Sequence, residues 1–133
     1  MAHSRNSLHI AGVIKGGKLL GIGIAGLKGT SKICKCATSR HAEMDVLYKL
    51  RKHNLNKSTI YSVRYNIDKN THEIQSATMA KPCLHCKQLI KKRGIKKIIY
   101  TNWEGEYIQE HVDYMSSVLS TGSMISINKK KKY

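Results

Sequence analysis

Residues 81–89, KPCLHCKQL, place two of the chain's four cysteines with two residues between them, directly after its only proline. Such a pair has three readings: half of a structural metal site, a redox couple, or part of a catalytic metal centre. Proline presets the backbone for a first helical turn, so the stretch opens a helix from Pro82. Cys83, Cys86, Leu89 and Ile90 then share one side, and Lys87 and Lys91 point away. A Cys-x-x-Cys pair at a helix start aims both sulfurs the same way, where the helix dipole favours thiolates.

A second helix start supplies the partners. In SRHAEMDVL (39–47), Glu43, Val46, Leu47 and Leu50 recur at the helical period and form one inward stripe. Thr38 or Ser39 can cap it. The stripe puts a carboxylate on the apolar face at the first turn, an expensive place for one without a purpose. His41 with Cys83 and Cys86 makes a His/Cys/Cys set of soft ligands suited to zinc, with the fourth position open to a water whose pKa the metal lowers. Glu43 can face that position as a proton carrier.

At 133 residues the chain is expected to form one domain, spanning 1–127, with the basic tail 128–133 outside it as a disordered segment. No apolar run is long enough for a membrane span, and the first ten residues have no apolar secretory core. The expectation is therefore a cytoplasmic protein, without a membrane partner, whose thiols are reduced. The net charge is +16, with lysine clusters at KKRGIKK (91–97) and NKKKKY (128–133). It reads equally as attraction to phosphate and as a solvated, lysine-rich surface.

HIAGVIK and KLLGIGIAG, joined at Gly16 and Gly17, read as a hairpin (9–26). Residues 27–39 are loop-like, 58–67 alternate as a strand, 72–80 suit a further strand or an extended approach, and 95–102 form another strand. EGEYIQEHVDYMSSVL (104–119) is read as a last helix. The order β-β-α-β-(β)-α-β-α argues for an α/β domain with a mixed sheet and helices on its faces.

The spacing H-x-E … P-C-x-x-C is the signature of zinc nucleobase deaminases. The chain resembles the cytidine and deoxycytidylate deaminase superfamily over roughly residues 8–120. The resemblance is carried by the opening hairpin, by SRHAEMDVL and by KPCLHCKQLIKKRGIKKIIYTN (81–102), the last like the small deoxycytidylate deaminase-like proteins of large DNA viruses and fungi. It implies the cytidine deaminase-like three-layer α/β/α fold with a mixed sheet, and zinc held by His41, Cys83 and Cys86. It further implies Glu43 as the catalytic proton carrier, the Ala42 backbone N–H as a contact to the base carbonyl, and a homo-oligomer. Trp103 or Tyr107 could stack on a base or close the pocket, or serve as core or rim residues. His85 is expected to face solvent or a substrate phosphate. Cys34 and Cys36 read as loop thiols, or as parts of a closed Cys3His zinc site. Where many members have Asn at the end of the second strand, in a G-x-N stretch contacting the sugar, this chain has Gly23-Ile24-Ala25.

Three functions follow from the resemblance and the charge. The leading one is hydrolytic deamination of a cytosine nucleotide, with dCMP the best single substrate. The second is deamination of cytosine or adenine within single-stranded DNA or RNA. The third is a zinc-stabilised nucleic-acid-binding protein of the same fold that has lost turnover.

Overall fold

The structure, a computed structural model, describes residues 7–25 and 41–116. The chain opens with β1 (Ser7–Lys15) and β2 (Lys18–Ala25), an antiparallel hairpin. Gly16 and Gly17 both have positive φ, 59° and 79°, the conformation a two-residue turn of matching twist demands. Then come α1 (Ala42–Lys49), β3 (Ser58–Ile67), β4 (Ile74–Thr78), α2 (Leu84–Lys92), β5 (Lys97–Thr101) and β6 (Tyr107–His111).

The strands form one mixed sheet in the order β2-β1-β3-β5-β6. β3 pairs antiparallel with the whole of β1 and parallel with β5 over Thr59–Ser62. β4 pairs with β3 at Arg64, Tyr65 and Ile67, past the residues that β5 occupies. The parallel β3–β5 pair requires a crossover, and α2 lies within it.

Alternation along the strands gives the sheet one buried face. Ala11 and Val13 on β1, Ile60 and Ser62 on β3, and Ile98 and Tyr100 on β5 are all buried. Val46, Leu47 and Leu50 from α1 and Cys86 and Ile90 from α2 join the same core. The expected inward stripe of α1, Glu43 included, is buried throughout. Both described helices therefore cover one face. Among the described residues no helix covers the other, and the second helical layer of the expected sandwich is not found in them.

Two details bring the helices into place. A Cβ at Gly23 would run into the carbonyl oxygen of Ala42 and the amide nitrogen of Val46, so only glycine lets α1 lie this close to β2. Asp45 Oδ2 accepts the Ile24 N–H at 3.1 Å and locks that approach. At the far end of α2, Gly94 at φ 89° follows the last turn, as expected of a C-terminal glycine. The neighbouring Arg93 donates to the carbonyls of Leu47, Leu50 and His53 at 2.9, 2.7 and 3.1 Å. Part of the basic run 91–97 is thus committed to tying α2 to the end of α1.

The helix expected over 104–119 is not formed where the structure describes it: Tyr107–His111 is a strand paired antiparallel with β5. Asn102 Oδ1 accepts the N–H groups of Glu104 and Glu106, and Gly105 takes φ 81°, closing a turn too tight for a helical start. Helix α2 also begins later than expected, at Leu84, with Cys83 at its N-cap. The N-cap of α1 is His41; Thr38 and Ser39 lie outside the described residues, as do Cys34, Cys36 and the tail 128–133. No described helix is long and apolar enough to cross a membrane.

Gly23→Ala is expected to lower stability by about 1–3 kcal/mol, because the backbone of α1 must shift to admit a methyl group. At Gly12 the nearest side-chain atom to an added Cβ is Leu19 Cδ1 at 3.4 Å. Gly12→Ala should therefore unfold in urea close to the wild-type midpoint, and equal midpoints for the two variants would refute the close-approach argument.

Candidate active site

His41 and Cys83 occupy the N-cap positions of α1 and α2, both in extended backbone, and neither side chain caps its own helix. They turn toward each other instead. His41 Nδ1 lies 3.6 Å from Cys83 Sγ and 3.3 Å from Cys86 Sγ. One ligand atom from each of the three residues falls within 4.8 Å of the others, the one such group of three found among the described residues.

Tetrahedral zinc with bonds of ~2.3 Å to sulfur and ~2.0 Å to nitrogen separates an N and an S ligand by about 3.5 Å. The observed spacings match that arrangement, and two sulfurs with one imidazole are the donors zinc takes. Three ligands leave a coordination position open.

The electrostatics already divide the cysteines. A hydrogen bond from Cys86, with His41 adding a bond and a charge, overcomes burial and holds the Cys83 thiol down to about 4. Cys86 is pushed well up, because it supplies that bond and is fully buried. His41 is raised, first by its hydrogen bond to Cys83. The N-termini of two helices converge here, and their positive ends favour thiolate further.

Glu43, one turn into α1, is 1% exposed. Burial alone would push its carboxyl up. The ring of His9, then a backbone hydrogen bond and His41, outweigh burial and hold it down to about 2. It is a carboxylate at neutral pH, ready to accept a proton. Its Oε1 faces the sulfur of Cys86 at 3.7 Å, and its Oε2 accepts the Ser62 hydroxyl at 2.9 Å.

The structure thus brings together His41, Glu43, Cys83 and Cys86. Ala42, fully buried between the first two, is the first residue of α1, so its N–H has no intrahelical acceptor. Trp103 is 70% exposed in the turn between β5 and β6, and Tyr107 at the start of β6 is also exposed. His85, on the first turn of α2, is not part of the three-ligand group. Ala25, the last residue of β2, pairs with His9 across the hairpin.

His9, Ser62 and Arg64 were not singled out by sequence reasoning. The available signal was register. His9 precedes Ala11 and Val13, and Ser62 follows Ser58 and Ile60, so both are polar residues at inward strand positions.

No family model matches this sequence, and no curated protein matches it either. Among solved structures, the chain is similar to the dCMP deaminase of cyanophage S-TIM5 without ligand, at 23% identity over 71% of this chain and a TM-score of 0.49. It is similar to the same phage enzyme in complex with dCMP and dUMP, at 22% identity over 71% of this chain and a TM-score of 0.48. Both matches span 65% of the phage chain, just short of two thirds. A cytidine deaminase from Burkholderia pseudomallei matches over 86% of this chain and 83% of its own, at 15% identity and a TM-score of 0.55. That last likeness shows the cytidine deaminase-like fold.

The purified chain is expected to carry stoichiometric zinc by elemental analysis. Cys83→Ser and Cys86→Ser should each lose most of it under mild chelation that leaves the wild type loaded. Undiminished zinc in both variants would place the metal elsewhere.

Proposed function

We propose that this chain, with the fold of the cytidine deaminases, is a zinc-dependent hydrolytic deaminase that converts the amino group of a cytosine nucleotide to a carbonyl. The supporting observation is the convergence of His41, Cys83 and Cys86 within 4.8 Å, with the buried Glu43 carboxylate against Cys86. A redox couple or a purely structural metal site has no use for that carboxylate. We take dCMP as the first substrate to try, on the resemblance of the segment after Cys86 to deoxycytidylate deaminases.

Zinc held by His41, Cys83 and Cys86 would supply a bound water made acidic near neutral pH. Glu43 accepts a proton at Oε1 and delivers it to the ring nitrogen beside the amino-bearing carbon. Once the water's oxygen is bonded to the amino-bearing carbon, Oε1 accepts that oxygen's remaining proton and passes it to the amino group, so the C–N bond breaks, ammonia leaves and the carbonyl forms. The Ala42 N–H, at the start of α1, donates to the base carbonyl and sets which ring edge meets Glu43. Burial of Glu43 keeps bulk water from competing for its proton. Ala25 offers no side-chain hydrogen bond to a sugar, so sugar selection would rest on other groups.

A second reading, deamination within single-stranded nucleic acid, draws on the +16 charge. Two lysines of the 91–97 cluster weigh against it as the first choice. Lys96 and Lys97 line an open cleft of roughly 590 Å³ with Asn56, Lys57, Ser58, Thr59 and Gly94. That cleft lies at the C-terminal end of α2, whereas Cys83 is at its N-terminal end, and a helix of nine residues is about 13 Å long. A homo-oligomer and a cytoplasmic setting complete the proposal, on the resemblance and the thiol chemistry respectively.

With zinc-loaded protein and dCMP, CMP, cytidine, single-stranded DNA and RNA offered separately, amine-to-carbonyl conversion by mass spectrometry is expected with a free nucleotide. Glu43→Gln should reduce turnover by at least about 10²-fold while retaining zinc. Full activity in that variant would remove Glu43 from the chemistry. Conversion confined to polynucleotide would select the second reading.

A further inference from the structure

Behind Glu43 lies a chain of hydrogen bonds that the three ligands do not explain. His9 Nε2 is 2.7 Å from Ser62 Oγ and 3.5 Å from Glu43 Oε2. The other ring nitrogen, Nδ1, faces an Arg64 guanidinium nitrogen at 3.4 Å. Arginine donates and never accepts. With the ring neutral, Nδ1 is the accepting nitrogen of His9 and the ring proton is on Nε2, pointing at Ser62. Arg64 is itself anchored by bonds to Met79 O at 3.2 Å and Ser7 Oγ at 3.3 Å.

Ser62 receives the His9 proton and has one of its own to give. Two acceptors stand within reach, Glu43 Oε2 at 2.9 Å and Ala80 O at 2.8 Å. Ala80 leads directly into Lys81-Pro82-Cys83, so the same hydroxyl touches the carboxylate and the approach to a thiolate. The direction Arg64 to His9 to Ser62 to Glu43 has a donor meeting an acceptor at each step. All of it ends on one carboxylate oxygen, Oε2, while Oε1 is left facing Cys86.

We propose that His9 and Ser62 are positioning residues that fix Glu43 through Oε2 and reserve Oε1 as the oxygen that carries the proton. This rests on the deaminase reading above. Loading Oε1 with a proton leaves Oε2 a carbonyl oxygen that still accepts from Ser62, so the carboxyl is held in the same pose before and after each transfer. His9 and Ser62 come from β1 and β3, strands paired along the whole of β1. The tether is therefore anchored in the rigid middle of the sheet and not in a loop.

The test compares His9→Leu, His9→Gln and Ser62→Ala in zinc-loaded protein. A glutamine amide can place its N–H where His9 carries Nε2–H; leucine cannot. His9→Leu and Ser62→Ala should lose about 10–100-fold in kcat, with KM and zinc content near the wild type. His9→Gln should recover most of the loss. Wild-type kcat in His9→Leu, or a His9→Gln no better than His9→Leu when both are folded by circular dichroism, overturns the proposal. A second readout does not need turnover. Nitrogen-15 NMR of the histidine rings in the wild type should show His9 with its proton on Nε2, and Ser62→Ala should shift that signal. If no substrate is converted, the deaminase reading falls while this spectrum still judges the tether: a proton on Nδ1, or a signal indifferent to Ser62→Ala, rejects it.

Discussion

A carboxylate with 1% of its surface exposed costs several kcal/mol unless its charge and its lone pairs are answered. Glu43 is that carboxylate, and the surrounding fold reads as the set of answers. Ser62 from β3, His9 from β1 and Cys86 from α2 all reach it. Three elements far apart in sequence meet there because β1 and β3 pair in a register that sets Ala11 opposite Ser62. A slip of one residue would turn His9 and Ser62 to the other face of the sheet.

The convergence of two helix starts is the second requirement, and backbone shape supplies it. Gly23 lets α1 lie against β2, Asp45 fastens it to the Ile24 amide, and Arg93 ties the end of α2 to the end of α1. With both helices held on one face, their N-caps bring His41 and Cys83 together. The His/Cys/Cys group is thus held by packing beside it, where Gly23 meets Ala42, and by the Arg93 tie at the far ends of both helices, which is how a site made largely of helix ends can be preorganised.

Much of this was legible in the sequence. The hairpin at Gly16-Gly17, the α1 stripe, the strand 58–67 and the separate H-x-E and C-x-x-C motifs are local patterns, each written in one short stretch. Two things were not. The segment after Thr101 carries Tyr, Ile and Val at spacings that suit helix or strand, and the Asn102 side chain with Gly105 decides for a hairpin through contacts within the turn. The support behind Glu43 was also hidden, because a lone histidine and a lone serine in strands become partners only once the sheet register is known. The basic run 91–97 was read as one cluster, whereas the fold assigns Arg93 to carbonyls and leaves Lys96 and Lys97 at the opposite end of α2 from Cys83.

The central claim is an open His/Cys/Cys metal centre beside a buried carboxylate. X-ray absorption at the zinc edge of the zinc-loaded 133-residue chain tests it most directly. The account predicts two sulfur neighbours at about 2.3 Å and two nitrogen or oxygen neighbours at about 2.0–2.1 Å, with the sulfur count unchanged when Cys34 and Cys36 are both replaced by serine. Three or four sulfurs around the zinc, falling when Cys34 and Cys36 are removed, would mean a closed structural site and would contradict it.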